Sequence, residues 1–225
     1  MKIVLDAGHG YSTPGKRSPD GMKEYEFNRE TAAFIKHYLE KSKGITVHYA
    51  HEDERDVPLG ERTRKSHALG ADLYLSIHAN AAGSGKWHEA NGIETYVHTS
   101  KPKESLSLAE KVQHDLVKAT QLKNRGVKTA NFQVLRETKC PALLIECGFM
   151  TNQQEASLLR TEAFRKTCGE SIAKSVLAHY KLKNEGSSTI LYKVQIGAFT
   201  DKKKAETLVK KLAKDGYDAF ITKQT

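Results

Sequence analysis

The chain has 225 residues, of which 38% are hydrophobic and 28% charged, and carries a formal net charge of +9. That length supports one good core with a small appendage, and that composition excludes a disordered chain. The positive charge favours a polyanionic partner. Yet no stretch approaches the roughly 18 apolar residues of a membrane span, and the lysines are not interleaved with the aromatic platform of a nucleic-acid binder, so neither a transmembrane segment nor a nucleic-acid partner is expected.

Ile3, Val4 and Leu5 open the chain as a buried strand that runs into Asp6-Ala-Gly-His-Gly10. The two glycines are expected to turn the backbone there and carry His9 out of the sheet. A Ser/Pro/Gly-rich loop follows over residues 11–21. Apolar residues at helical spacing (Phe27, Thr31, Phe34, Ile35, Tyr38, Leu39) then predict a helix over 25–42, with Glu24 and Glu26 at its start. Residues 45–49 read as a strand and 59–69 as a helix stopped by Gly70. Asp72-Leu-Tyr-Leu-Ser-Ile-His78 is a strand that again ends in histidine. Strand 92–98, helix 105–122 and a short strand over 132–135 come next. Pro141-Ala-Leu-Leu-Ile-Glu-Cys147 is the most apolar strand and delivers Glu146 near its end. Helices are predicted over 153–160 and 163–181. Cys140, Cys147 and Cys168 form no C-x-x-C, so neither a cysteine zinc site nor a disulfide scaffold is indicated, and Cys147 reads as a buried thiol.

Residues 182–189 are polar and read as a linker. Beyond them, strand 191–196, helix 202–214 and strand 217–221 make one β-α-β unit. The whole is an α/β chain: a mostly parallel twisted sheet flanked by helices, plus that small C-terminal βαβ unit.

His9, His78 and Glu146 each end a strand. Crossover helices place parallel strands with their carboxyl ends on one edge, where open α/β sheets build their sites. Glu24 begins the helix after the first strand, at the same edge, with Asp20, Glu26 and Glu30 as rivals. Two histidines and one or two carboxylates at an open edge form the ligand set of a catalytic zinc centre, with Asp6 or Asn80 available to hold a ring nitrogen. A glutamate in the apolar run 143–149 needs a partner or a role, because an unpaired buried carboxylate is costly.

These segments resemble one family. Val4-Leu-Asp-Ala-Gly-His-Gly10, Gly21 to Asn28, Leu59-Gly-Glu-Arg62, Ala71 to Asn80, Gly92-Ile-Glu-Thr-Tyr96 and Pro141 to Asn152 run in the order of the zinc-dependent N-acetylmuramoyl-L-alanine amidases, over about residues 1–181. The resemblance implies one zinc ion held by His9, Glu24 and His78, a catalytic Glu146, and supporting roles for Arg62 and Asn80. It selects Glu24 over Glu26, which spacing alone does not. It also implies hydrolysis of the bond between the N-acetylmuramoyl lactyl group and L-alanine in peptidoglycan.

Residues 190–225 resemble a sporulation-related (SPOR-type) wall-binding module, through Tyr192 to Phe199 and the helix after it. That module normally holds two β-α-β halves, and one is present here. The expected domains are therefore 1–181, catalytic; 182–189, linker; and 190–225, a partial wall-binding module. The expected partners are peptidoglycan and anionic wall polymers. The opening residues hold no apolar core or cleavage site of a classical signal peptide, which leads to the expectation of a protein made in the cytoplasm and released by lysis or a holin-type route. A peptidase or deacetylase built on the same ligands, and a wall-binding protein without turnover, are the competing readings. The reaction product discriminates among them.

Overall fold

The computed structural model describes residues 1–13, 15–182, 196–217, 219 and 221. It divides into two compact units, Met1–Ser187 and Ser188–Thr225.

The first unit is a six-stranded sheet in the order β2-β1-β3-β6-β4-β5. Its strands are β1 (Lys2–Ala7), β2 (Thr46–Tyr49), β3 (Leu73–Asn80), β4 (Ile93–His98), β5 (Asn124–Ala130) and β6 (Ala142–Phe149). β2, β1, β3 and β6 run parallel. β4 pairs antiparallel to β6, and β5 runs parallel to β4. The carboxyl ends of four strands thus share an edge with the amino ends of β4 and β5.

The helices of this unit are α1 (Glu24–Leu39), α2 (Leu59–Leu69), α3 (Lys103–Thr120), α4 (Gln133–Glu137), α5 (Gln153–Leu159) and α6 (Glu162–His179). α5 and α6 are capped by side chains: Asn152 accepts from the Glu155 N–H and Thr161 from the Phe164 N–H. α2 ends on Gly70 in the left-handed conformation.

Alternation along each strand separates two cores. Ile3, Leu5, Leu73, Leu75, Ile77, Leu143, Ile145 and Ile93 face one way, into a large cluster with residues of α1, α3 and α6. Val4, Tyr74, Ala142 and Leu144 face the other, into a small cluster with Val134 and Leu135 of α4. This second face becomes polar toward the carboxyl edge, through Asp6, Ser76, His78 and Glu146.

Two readings of the sequence need correction. Residues 132–135 form no strand: Phe132 stands at the position before the short helix α4, and the adjacent Val134 and Leu135 are both buried, which a half-buried alternating strand would not allow. The strand beside β4 is instead β5, which has few apolar residues and a glycine, and so gives no apolar signal.

In the second unit, α7 (Lys202–Lys214) matches the predicted helix and is capped by Asp201, which accepts from the Lys203 N–H. It buries no residue. The expected strand over 191–196 lies almost wholly outside the described residues, and that over 217–221 lies there in part. No helix among the described residues is long and apolar enough to cross a membrane.

Candidate metal centre

β1 ends by presenting His9, and the turn is made by His9 itself, at φ 70, rather than by either flanking glycine. A non-glycine residue in this region is held there by its surroundings. The holder is Arg62 of α2. Its buried guanidinium donates to the carbonyls of Val57, Ala7 and His9 at 2.8, 2.7 and 2.5 Å, and pairs with Asp6 at 2.5 Å. Burial alone would raise the Asp6 carboxyl, but Arg62 outweighs it and holds the group below the usual carboxylate range. Gly8 answers a different need from turning. A Cβ there would lie 2.1 Å from the His78 ring, so only glycine lets the turn pass beside that histidine.

His78 and Glu146 are parallel partners in the β3–β6 register and project from the same face. Glu24 reaches the same edge from the first turn of α1. Its Oε1 lies 2.7 Å from His78 Nδ1 and its Oε2 3.2 Å from His9 Nε2. One donor atom each from His9, Glu24 and His78 lies within 4.8 Å of the others. The Lys16 N–H donates to Glu24 at 3.0 Å, and Asn28, one turn along α1, donates to both Glu24 and the Gly8 carbonyl. Burial would raise the Glu24 carboxyl, but the two histidines hold it far below its ordinary range.

The rivals of Glu24 are placed elsewhere. Asp20 pairs with Arg160, Glu30 with Arg165, and Glu26 is exposed.

A second layer fixes the histidine. Ser76 Oγ donates to Asp6 at 2.9 Å and lies 3.1 Å from His78 Nε2. With its one proton given to Asp6, Ser76 can only accept from the ring, so Nε2 carries a proton and Nδ1 is turned toward Glu24 and His9. Asp6 therefore acts on His78 through Ser76. Asn80 does not hold a ring nitrogen as expected: its amide donates to Glu94 at 2.7 Å.

Glu146 lines the same open cleft of about 440 Å³, together with His9, Glu24 and His78. Its Oε2 is buried without a hydrogen-bond partner. Burial, eased by the nearby His78 charge, pushes its carboxyl up to about 8. Two imidazole nitrogens and a carboxylate facing one another, beside an unpartnered carboxylate oxygen, fit a divalent cation with an open coordination position. Sequence reasoning passed over Ser76, Asn28 and Glu94. All three lie inside segments quoted above, but only the fold shows what each touches.

Residues 3–178 match the family described as N-acetylmuramoyl-L-alanine amidase. The chain belongs to this amidase family. Residues 188–225 match the SPOR domain. Among curated relatives, the N-acetylmuramoyl-L-alanine amidase CwlM of Bacillus licheniformis is 33% identical over 98% of this chain and 84% of its own length. An endolysin of Bacillus phage SPP1 is 31% identical over 97% of this chain and 78% of its own. Among solved structures, the N-acetylmuramoyl-L-alanine amidase of Clostridium difficile 630 superposes with a TM-score of 0.76 at 32% identity, covering 80% of this chain and 96% of that one.

Proposed function

We propose that the chain hydrolyses the amide between the N-acetylmuramoyl lactyl group and L-alanine in peptidoglycan, with one zinc ion held by His9, Glu24 and His78. The observation that carries this reading is the convergence of those three donor atoms beside the unpartnered oxygen of Glu146. Bound there, zinc supplies Lewis acidity at the scissile carbonyl and lowers the pKa of the attacking water. Glu146 Oε2 takes the water's proton as the oxygen adds to the carbonyl, then hands it to the departing amine of alanine. To take that proton Glu146 must be ionised, which the charge of a bound cation beside it would favour, while burial keeps its proton affinity high enough to serve the departing amine. Glu24, fixed by Lys16 N–H and Asn28, and His78, fixed through Ser76 and Asp6, need little rearrangement to bind the ion. Arg62 acts by holding the backbone that presents His9.

In this reading residues 1–181 are the catalytic domain, 182–189 a linker and 190–225 a wall-binding module. The SPOR match supports the last assignment. The net charge of +9 suits an anionic wall, and the endolysin among the relatives supports release by lysis.

The test is digestion of purified peptidoglycan with and without a chelator, reading the new ends by mass spectrometry. The expected product is a stem peptide with a free L-alanine amine beside an intact glycan, formed only with metal. Glu146→Gln is expected to keep its zinc and lose about 10²–10⁴ in rate. A new amine on the sugar or a cut within the stem refutes the amidase assignment, and a fully active Glu146→Gln protein refutes the role given to Glu146.

A further inference from the structure

The row of side chains that carries His78 and Glu146 continues beyond the metal centre, and what it meets there is cationic. Glu94 stands opposite Glu146 in the antiparallel β4–β6 pair, so both project from the same face with Cβ atoms about 4.5–5.5 Å apart. Glu94 is buried. Its Oε1 accepts from Asn80 Nδ2 at 2.7 Å and from the Tyr96 hydroxyl at 2.6 Å. Its Oε2 accepts from Arg125 Nε at 2.6 Å and from Lys128 Nζ.

β5 brings both cations to this carboxylate by breaking its own alternation. In a regular strand, residues three apart point to opposite faces. Here the register moves from Ile93↔Asn124 to Thr95↔Val127, so β5 carries one extra residue, with Gly126 at φ 80 within it. Such a bulge re-aims side chains, and bulges concentrate beside active sites.

One cation would neutralise Glu94, so the second leaves a surplus positive charge. Arg125 Nη1 donates to the Asn91 carbonyl, while Nη2 makes no protein hydrogen bond among the described residues. The guanidinium lies 4.7 Å over the Phe149 ring. The Arg125 and Lys128 side chains are 27% and 36% exposed, whereas Glu94 is 3% exposed. The buried carboxylate thus anchors a pair of cations that still face solvent. Asn80 joins this cluster to the cleft, which it lines together with Glu146.

We propose that Arg125 and Lys128 form the subsite that receives a free carboxylate of the stem peptide during amide hydrolysis. The inference rests on the amidase reading. In that substrate the lactyl carboxyl is consumed in the scissile amide, so the remaining carboxylates lie on the departing peptide. The unengaged Nη2 of an arginine, held beside a lysine, offers charge-assisted donors that suit a carboxylate and are poorly matched to a carboxamide. Glu94 is a positioning residue: it fixes the two cations beforehand, so that less side-chain freedom is lost when the peptide docks.

The experiment compares two muramoyl-peptides that differ only in a carboxylate or a carboxamide on the second residue of the stem. Wild type, Arg125→Gln and Lys128→Gln are each assayed on both. Wild type is expected to favour the carboxylate. In each variant the ratio of kcat/KM values between the two substrates is expected to fall by about tenfold to a hundredfold, mainly through KM. In a Glu146→Gln background, which holds substrate without turnover, calorimetry should show weaker binding of the carboxylate peptide on loss of either cation. An unchanged ratio in both variants overturns the subsite alone. A wild type that cleaves neither substrate overturns the amidase reading and the subsite with it. If Arg125→Gln fails to fold, the more exposed Lys128→Gln decides the matter.

Discussion

The two faces of the central sheet are built from alternate residues of the same strands and end as chemical opposites. In β3, Leu73, Leu75, Ile77 and Ala79 are fully buried in the large core with α1, α3 and α6. Their neighbours Tyr74, Ser76, His78 and Asn80 face the other way. The first face is apolar along the whole strand. The second is covered only part-way, by a small cluster that includes Val134 and Leu135, and becomes polar where that cluster stops. The site is thus a place where helical cover runs out over one parity of residues. Stability and chemistry are divided by odd and even positions rather than by segment, and a one-residue slip in any of these strands would exchange them. Glu24 is the exception: it belongs to α1, a helix of the closed face, and reaches the site only because its first turn meets the open edge.

Adjacent residues of β3 should therefore break in different ways. Leu75→Ala is expected to cost about 2–5 kcal/mol of stability, measured by urea unfolding, because it leaves a cavity in the closed core. The folded fraction should keep its metal affinity. Ser76→Ala should do the reverse. It removes the link between Asp6 and the His78 ring, and the loss of such an orienting partner lowers metal affinity about 10–100-fold. Competition with a chromogenic chelator reads that loss. If Leu75→Ala weakens metal binding as much as Ser76→Ala does, the division between the faces is wrong.

The sequence reveals the closed face better than the open one. His9, His78 and Glu146 stand out because each ends an apolar strand, and the structure brings the first two to Glu24 and lines one cleft with all four. Helices with long apolar stripes, such as α1, α3 and α6, are legible because many buried residues repeat the same spacing. The open face gives weaker signals. β5 reads Asn-Arg-Gly-Val-Lys-Thr-Ala, with polar residues on both parities because its bulge turns two cations toward one carboxylate. α4 is too short to show a period, so its two buried apolar residues imitate a strand. The link from Ser76 to His78 depends on which way β3 faces, and spacing does not encode that. The choice of Glu24 over Glu26 needed the family resemblance, since both acids suit the start of a helix.

The smallest expected effect lies at Glu94, where the open face is fully paired yet still polar. Burial would raise its carboxyl, but Lys128, Tyr96 and Arg125 outweigh that and bring it from an ordinary 4.5 down to about 2. A group whose pKa is lower in the folded chain stabilises the fold above its unfolded value and loses that contribution as pH falls through its folded value. The contribution of Glu94 should therefore be complete above about pH 4.5 and fade between there and about pH 2. Glu94→Gln keeps the shape and removes the charge. At pH 7 it is expected to lower stability by roughly 1–2 kcal/mol, since Arg125 and Lys128 are left facing solvent rather than stranded in an apolar core. By pH 3 the gap between wild type and variant should have narrowed. A gap that stays constant from pH 7 to pH 3 would mean that Glu94 acts through packing and neutral hydrogen bonds alone. The open face would then owe its cohesion to shape, as the closed face does, and charge would no longer distinguish the two.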